Sequence, residues 1–174
     1  QGNVPTLNEN GITLATAASL NSTSICFKQP ANQTLLTFAK PSRFRVAIQF
    51  GAVSLANMEA QITVGSYGIG ESYYGFEVSG TTLSGNCSNP NTSATNAVTL
   101  KTLSASTTYE LEAIFISGRG VDFYVDRDKV GTLTTQLPST IYSVFPNLFI
   151  KTTNTTAKNM TIAYFEYLQE RPNI

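Results

Sequence analysis

Histidine and tryptophan are absent from this 174-residue chain, cysteine occurs twice, and charged residues make up only 13%. Each shortage closes off a kind of chemistry. Without histidine, Ser-His and Cys-His nucleophile pairs and imidazole metal sites are excluded. Eleven basic residues balance eleven acidic ones, and the basic ones are scattered, so nothing marks the chain for a phosphate backbone or an anionic bilayer. Nucleic acid is therefore not an expected partner. No apolar run approaches the roughly 20 residues of a membrane-crossing helix. No stretch keeps an apolar period of about 3.6 residues long enough to make a helix of any kind. Internal repeats, heptads and low-complexity linkers are missing too, and no cofactor or metal ion is expected.

What remains is strand and turn chemistry. Between Thr107 and Thr135, Tyr109, Leu111, Ala113 and Phe115 share one face of a strand while Glu110 and Glu112 start the other. Val121, Phe123 and Val125 then alternate with Asp122, Tyr124 and Asp126, the period of two that a half-buried strand shows. Gly118 and Gly120 punctuate one turn and Asp126–Lys129 the next, so this region reads as an antiparallel meander. Earlier, Phe44, Val46, Ile48 and Phe50 alternate with Arg43, Arg45 and Gln49 behind Pro41. Further strands are expected at Ile12–Ala15, Thr23–Phe27, Leu35–Ala39, Ala60–Val64, Tyr73–Val78 and Asn147–Lys151. The last is expected at Met160–Leu168, with Met160, Ile162, Tyr164 and Leu168 facing one way. Ser84–Asn96 is so rich in turn-forming residues that it reads as an exposed loop. About twelve short strands without helices imply an all-β fold, two antiparallel sheets packed as a jelly-roll sandwich. Residues 1–174 are expected to form a single domain, with 1–40 less regular and a candidate assembly segment.

The order of these features resembles the concanavalin A-like lectin/glucanase superfamily, in the version found in decoration or tail-fibre proteins of bacterial viruses. The resemblance rests on FRVAIQF at Phe44–Phe50, YYGFEVSG at Tyr73–Gly80, the turn-rich SGNCSNPNTS, and YELEAIF at Tyr109–Phe115. VDFYVDRDKVGTLTTQLP at Val121–Pro138 and IAYFEYLQ at Ile162–Gln169 complete it, and the whole covers roughly residues 40–170. Arg127 stands where that pattern has glycine. The resemblance implies the sandwich fold and, as a virion or extracellular surface protein, a structural role. It does not transfer an activity.

The glucanases of that superfamily carry a Glu-x-Asp-x-x-Glu strand, two carboxylates of which flank the scissile bond. This chain has no such run. Glu59 is isolated, and Glu110 with Glu112 reads either as a solvated strand face or as a carboxylate pair. Asp122, Asp126 and Asp128 around a turn are read as turn formers before a calcium site. Tyr67, Tyr73, Tyr74 and Tyr142 are the candidate platforms for sugar rings, with sheet packing as the alternative. Cys26 and Cys87 either form one disulfide or remain two buried thiols. Asn21, Asn32, Asn86, Asn91, Asn154 and Asn159 each head an Asn-x-Ser/Thr sequon. Residue 1 is glutamine rather than methionine, so either a leader was removed or the numbering begins inside a longer chain.

Together these readings favour a non-catalytic structural or adhesive protein. It would build or decorate an extracellular assembly, a virion or a filament, by sandwich packing and strand addition. Its partners would be copies of itself or other surface proteins. A lectin-like carbohydrate-binding module is the alternative, and a diverged glycoside hydrolase or lyase acting through Glu59, Glu110 or Glu112 is the third reading.

Overall fold

The computed structural model describes residues 2–26, 38–65, 72–89, 95–139 and 146–169. Within them the backbone forms fourteen strands and no helix. In chain order these are β1 (Gly2–Asn3), β2 (Thr6–Asn8), β3 (Gly11–Ala15), β4 (Thr23–Cys26), β5 (Ser42–Phe50), β6 (Met58–Gly65) and β7 (Tyr73–Ser79). They continue as β8 (Thr82–Ser88), β9 (Thr95–Thr102), β10 (Thr108–Ile116), β11 (Gly120–Val125), β12 (Asp128–Leu133), β13 (Pro146–Thr152) and β14 (Asn159–Gln169).

The alternation in β5 and β10 sets the centre of one sheet. Phe44, Val46, Ile48 and Phe50 are buried, as are Tyr109, Leu111, Ala113 and Phe115. The two strands pair antiparallel with Val46 opposite Leu111, so both apolar rows fall on the same face. Outward from this pair the sheet runs β12-β11-β10-β5-β14-β3-β2. The facing sheet runs β1-β4-β13-β6-β7-β8-β9. Neighbouring strands are antiparallel throughout except β1 and β4, which are parallel. The result is the expected jelly-roll sandwich, with its apolar residues between the layers.

Aromatic rings occupy the middle of that layer. Phe44 lies 5.6 Å from Tyr74 and 5.8 Å from Phe76, and Phe76 meets Phe123 edge-on at 5.4 Å between ring centroids. Tyr74 stacks on Phe115 at 5.5 Å, and Phe38 touches both. Contacts of this geometry contribute about 0.5–1.5 kcal/mol each beyond the area they bury. Phe123 reaches across the sandwich because Gly85 stands opposite; a Cβ there would lie 2.7 Å from the ring.

Three expectations need correction. The segment read as the loop Ser84–Asn96 contributes two strands, β8 and the start of β9, and only residues 89–94 lie between them. Leu83, Gly85 and Cys87 face inward from β8, and β7 holds the strand along its whole length. Pairing here overrides a composition of small polar residues. The face assigned to Tyr164 and Leu168 is also reversed. The ladder between β14 and β5 slips between Ile162 and Tyr164, so Met160 and Ile162 are buried while Tyr164 and Leu168 are 40% and 51% exposed. A bulge of one residue exchanges the two faces of everything beyond it. The strand expected at Leu35–Ala39 falls partly outside the described residues, but Phe38 and Ala39 form a turn, with Phe38 fully buried. Phe27 likewise lies outside the described residues.

The β11–β12 hairpin turns on Asp126 (φ 54°) and Arg127 (φ 74°). Two positive angles in a two-residue loop define the mirror-image turn that suits a twisted hairpin. Arg127 thus adopts a conformation that favours glycine while remaining arginine. Relieving a left-handed non-glycine residue yields about 1 kcal/mol, against a few tenths for losing an exposed charge contact such as that of Arg127 with Glu110 at 3.7 Å. Arg127→Gly is expected to raise stability by about 0.5–1 kcal/mol, read from the midpoint of urea unfolding. Gly85→Ala is expected to act oppositely, costing about 1–3 kcal/mol by driving a methyl group into Phe123.

Candidate functional site

The two outer faces differ in character. On the β5–β10 sheet the ladder places Glu166, Arg45, Glu112, Tyr124 and Lys129 in one row across β14, β5, β10, β11 and β12. Arg43 pairs with Glu112 at 2.5 Å, and Arg45 pairs with Glu110. The Arg45 guanidinium holds the Glu110 carboxyl below the usual carboxylate range, against an opposing push from burial. Tyr164, next to Ala47 in register, leans towards the same carboxylate. Burial and then the Glu110 charge raise its phenol. Glu110 and Glu112 therefore belong to an ion-paired surface ladder.

The opposite outer face is made by β13, β6, β7, β8 and β9. Because Met58, Ala60, Ile62 and Val64 point inward from β6, Glu59, Gln61 and Thr63 point outward. The same alternation turns Tyr73, Gly75 and Glu77 of β7 and Ser84, Asn86 and Ser88 of β8 to this side. Register then aligns Phe149, Gln61, Glu77, Ser84 and Thr99 in one row. The adjacent row is Asn147, Thr63, Gly75, Asn86 and Ala97. Gly75 puts no side chain between Thr63 and Asn86.

A groove of about 320 Å³ opens on this face, lined by Glu59, Gln61, Glu77, Ser84, Asn86 and Thr95 among others. Glu59 is held by Lys151 at 3.0 Å. Asn86 is 4% exposed, and its Oδ1 has no hydrogen-bond partner among the described residues. The Thr63 hydroxyl is in the same condition. A buried polar atom without a partner costs about 1–3 kcal/mol, so two of them in one row mark a place that the described residues leave unsatisfied. A half-turn of the Asn86 amide exchanges its oxygen and nitrogen, so the residue can accept or donate. Amides, hydroxyls and two carboxylates beside the half-buried ring of Phe149 supply the two ingredients of sugar recognition: directional hydrogen bonds and an apolar plate.

Other candidates fare differently. Tyr73 and Tyr74 are 2% and 0% exposed and offer no ring face to a ligand. Tyr74 sits in the core, its hydroxyl 2.9 Å from that of Ser42, and burial raises its phenol well above the ordinary value. Tyr67 and Tyr142 lie outside the described residues. Cys26 and Cys87 are not bridged; β4 and β8 are separated by three strands of one sheet, roughly 19 Å at 4.8 Å per step, well beyond disulfide reach. Asn86 is enclosed in β8 and cannot carry a glycan there. Among the other sequons, Asn21 is exposed in a turn with φ 57° and Asn159 is exposed at the start of β14. Asn154 is half-buried, and its Oδ1 accepts from the backbone of Thr156. Asn32 and Asn91 lie outside the described residues. The turn aspartates do not converge on a cation: Asp122 binds Lys129 and Thr132, and Asp126 binds Lys101. Among the described residues no cluster of three metal-ligating side chains occurs, nor a helix long and apolar enough to cross a membrane.

Phe149 is the residue the sequence reading passed over. Its signal was present: an aromatic at the outward position of a strand whose Leu148 and Ile150 face the core.

No family model matches the chain, and no curated protein matches it. Solved structures do. A structure of botulinum neurotoxin type C, whose cell entry depends on interaction with two ganglioside molecules, is 11% identical with a TM-score of 0.65. The match covers 97% of this chain and 42% of that one, so this chain spans less than half the neurotoxin structure's length. Alginate lyase A1-II′, of polysaccharide lyase family 7, is 7% identical with a TM-score of 0.65, over 95% of this chain and 83% of the lyase. A protein of unknown function from Shewanella oneidensis MR-1 is 13% identical with a TM-score of 0.62, over 94% and 72% of the two chains. At these identities the likeness establishes the jelly-roll fold alone.

Burial pushes the Cys87 thiol up to about 12. Since the thiolate is the reactive form, Cys87 is expected to resist iodoacetamide at about pH 8 in the native protein and to react fully in denaturant. Peptide mass spectrometry reads the difference.

Proposed function

We propose that this chain is a non-catalytic adhesive and structural domain of an extracellular assembly, holding a glycan on the outer face of the β6–β9 region. The observation that carries the reading is the polar groove, with Asn86, whose Oδ1 has no partner among the described residues, in its lining and Phe149 at its edge, in register with Gln61. Its amide and hydroxyl groups match neutral sugar hydroxyls. Concanavalin A-like ancestry, a filament or virion setting and secretion all accord with the fold. The ganglioside-dependent toxin and the polysaccharide lyase among the structural neighbours support only the glycan-holding part of this reading. A hydrolase or lyase reading finds less support: Glu110 and Glu112 are engaged by arginines, and Glu59, which shares the groove with Glu77, is engaged by Lys151.

A glycan array probed with the folded protein is expected to show neutral oligosaccharide binding. Phe149→Ala and Asn86→Ala are each expected to weaken it about tenfold, a loss of roughly 1.4 kcal/mol, while leaving the urea midpoint of the Phe149 variant near that of the parent. An array without a hit, or binding indifferent to both substitutions, rejects the site.

A further inference from the structure

One short segment forms the outermost strand of both sheets. Residues 2–3 pair in parallel with β4, Gly2 opposite Thr23 and Asn3 opposite Ser24. After Val4 and Pro5, residues 6–8 pair antiparallel with β3, Thr6 opposite Thr13, Leu7 opposite Ile12 and Asn8 opposite Gly11. The strip is therefore seated on two edges at once by only five residue pairs.

Its side chains are poorly placed for a solitary molecule. Val4 is 85% exposed and Leu7 79%. Leu20, in the turn leading into β4, is 64% exposed, and Ile25 on β4 is 45% exposed. Four of the seven large apolar side chains that are exposed among the described residues thus fall in or beside this strip and its seat. Pro5 gives the ladder no N–H and, with Val4 before it, keeps the middle of the strip extended. The two-residue turn at Glu9–Asn10 is the only link to β3.

We infer that residues 2–8 are exchanged between copies, the strip of one molecule seating on β4 and β3 of the next. This rests on the assembly reading above and names its contact. The seat already fits this sequence, so exchange requires no new complementarity; only the Glu9–Asn10 turn has to open. With a formal charge of zero, two copies meet without net repulsion. Opened, the strip carries Val4 and Leu7 to a neighbour, where the juxtaposed sheet edges cover them. Exchange that closes between two copies gives a dimer; exchange passed onward gives a filament.

The test uses the full chain carrying Cys26→Ser with Leu7→Cys and Ile12→Cys, a directly opposed pair, the burial of Cys87 keeping it out of the reaction. The protein is concentrated, examined by light scattering and electron microscopy, then oxidised and run on a denaturing non-reducing gel. Covalent dimers or ladders that collapse on reduction are expected. Assemblies containing only internally cross-linked monomers overturn the exchange while leaving assembly standing. Monomers at every concentration, in this variant and in the parent chain, overturn both. Leu7→Asp, which changes an exposed side chain, keeps the test independent of cysteine placement. It is expected to shift assembly to at least tenfold higher concentration, and an unchanged threshold counts against the inference. Neither result depends on whether the groove binds sugar.

Discussion

Everything else in this molecule depends on two sheets being locked face to face by aromatic rings. Phe44 and Phe115 come from one layer and Tyr74 and Phe76 from the other, and Phe38 enters from a turn to close the cluster. Large flat rings in edge and tilted contact fix the separation and the lateral offset of the layers more tightly than aliphatic side chains would. Once those are fixed, the strict alternation of each strand decides which residues reach solvent.

The outward residues have been used in two ways. On the β5–β10 side they are long and charged, and they are ion-paired: Arg43 and Arg45 of β5 bind Glu112 and Glu110 of β10, Arg45 lies in register between Glu112 and Glu166, and lysine and aspartate continue across the hairpin. On the β6–β9 side they are short, mostly uncharged and incompletely satisfied, and the surface is indented. Short side chains leave room above a sheet, whereas long ones cover it. The groove is in this sense the consequence of serine, asparagine and glycine standing where β-branched or charged residues usually do.

The same choice explains how much could be read beforehand. Strands β5, β10 and β11 were legible because their inward residues are large and their outward ones polar, so period two is unmistakable. Strand β8 was not: its inward row of Leu83, Gly85 and Cys87 is uneven, and its outward row is made of turn formers. The faces of β14 were misjudged because a bulge leaves no trace in local composition. Tyr73 and Tyr74 misled for another reason, since adjacency guarantees that one of two neighbours points outward but not that it is uncovered. The groove itself depends on which five strands are neighbours and in what register, and a strand's own alternation fixes which face is buried but not which distant strand lies beside it. Phe149, at its edge, did have a local signature.

The pairwise neutralisation of the charged face also bears on how this protein meets anything at all. Charges matched at 2.5–3.7 Å with their opposites cast little field beyond their own neighbourhood, and the total charge is zero. Partners are therefore not drawn in from a distance. Encounters proceed by unbiased diffusion, with association rates on the order of 10⁵–10⁶ M⁻¹s⁻¹ that ionic strength scarcely alters. For such a surface, differences between partners are expressed chiefly in how long a contact lasts rather than in how fast it forms.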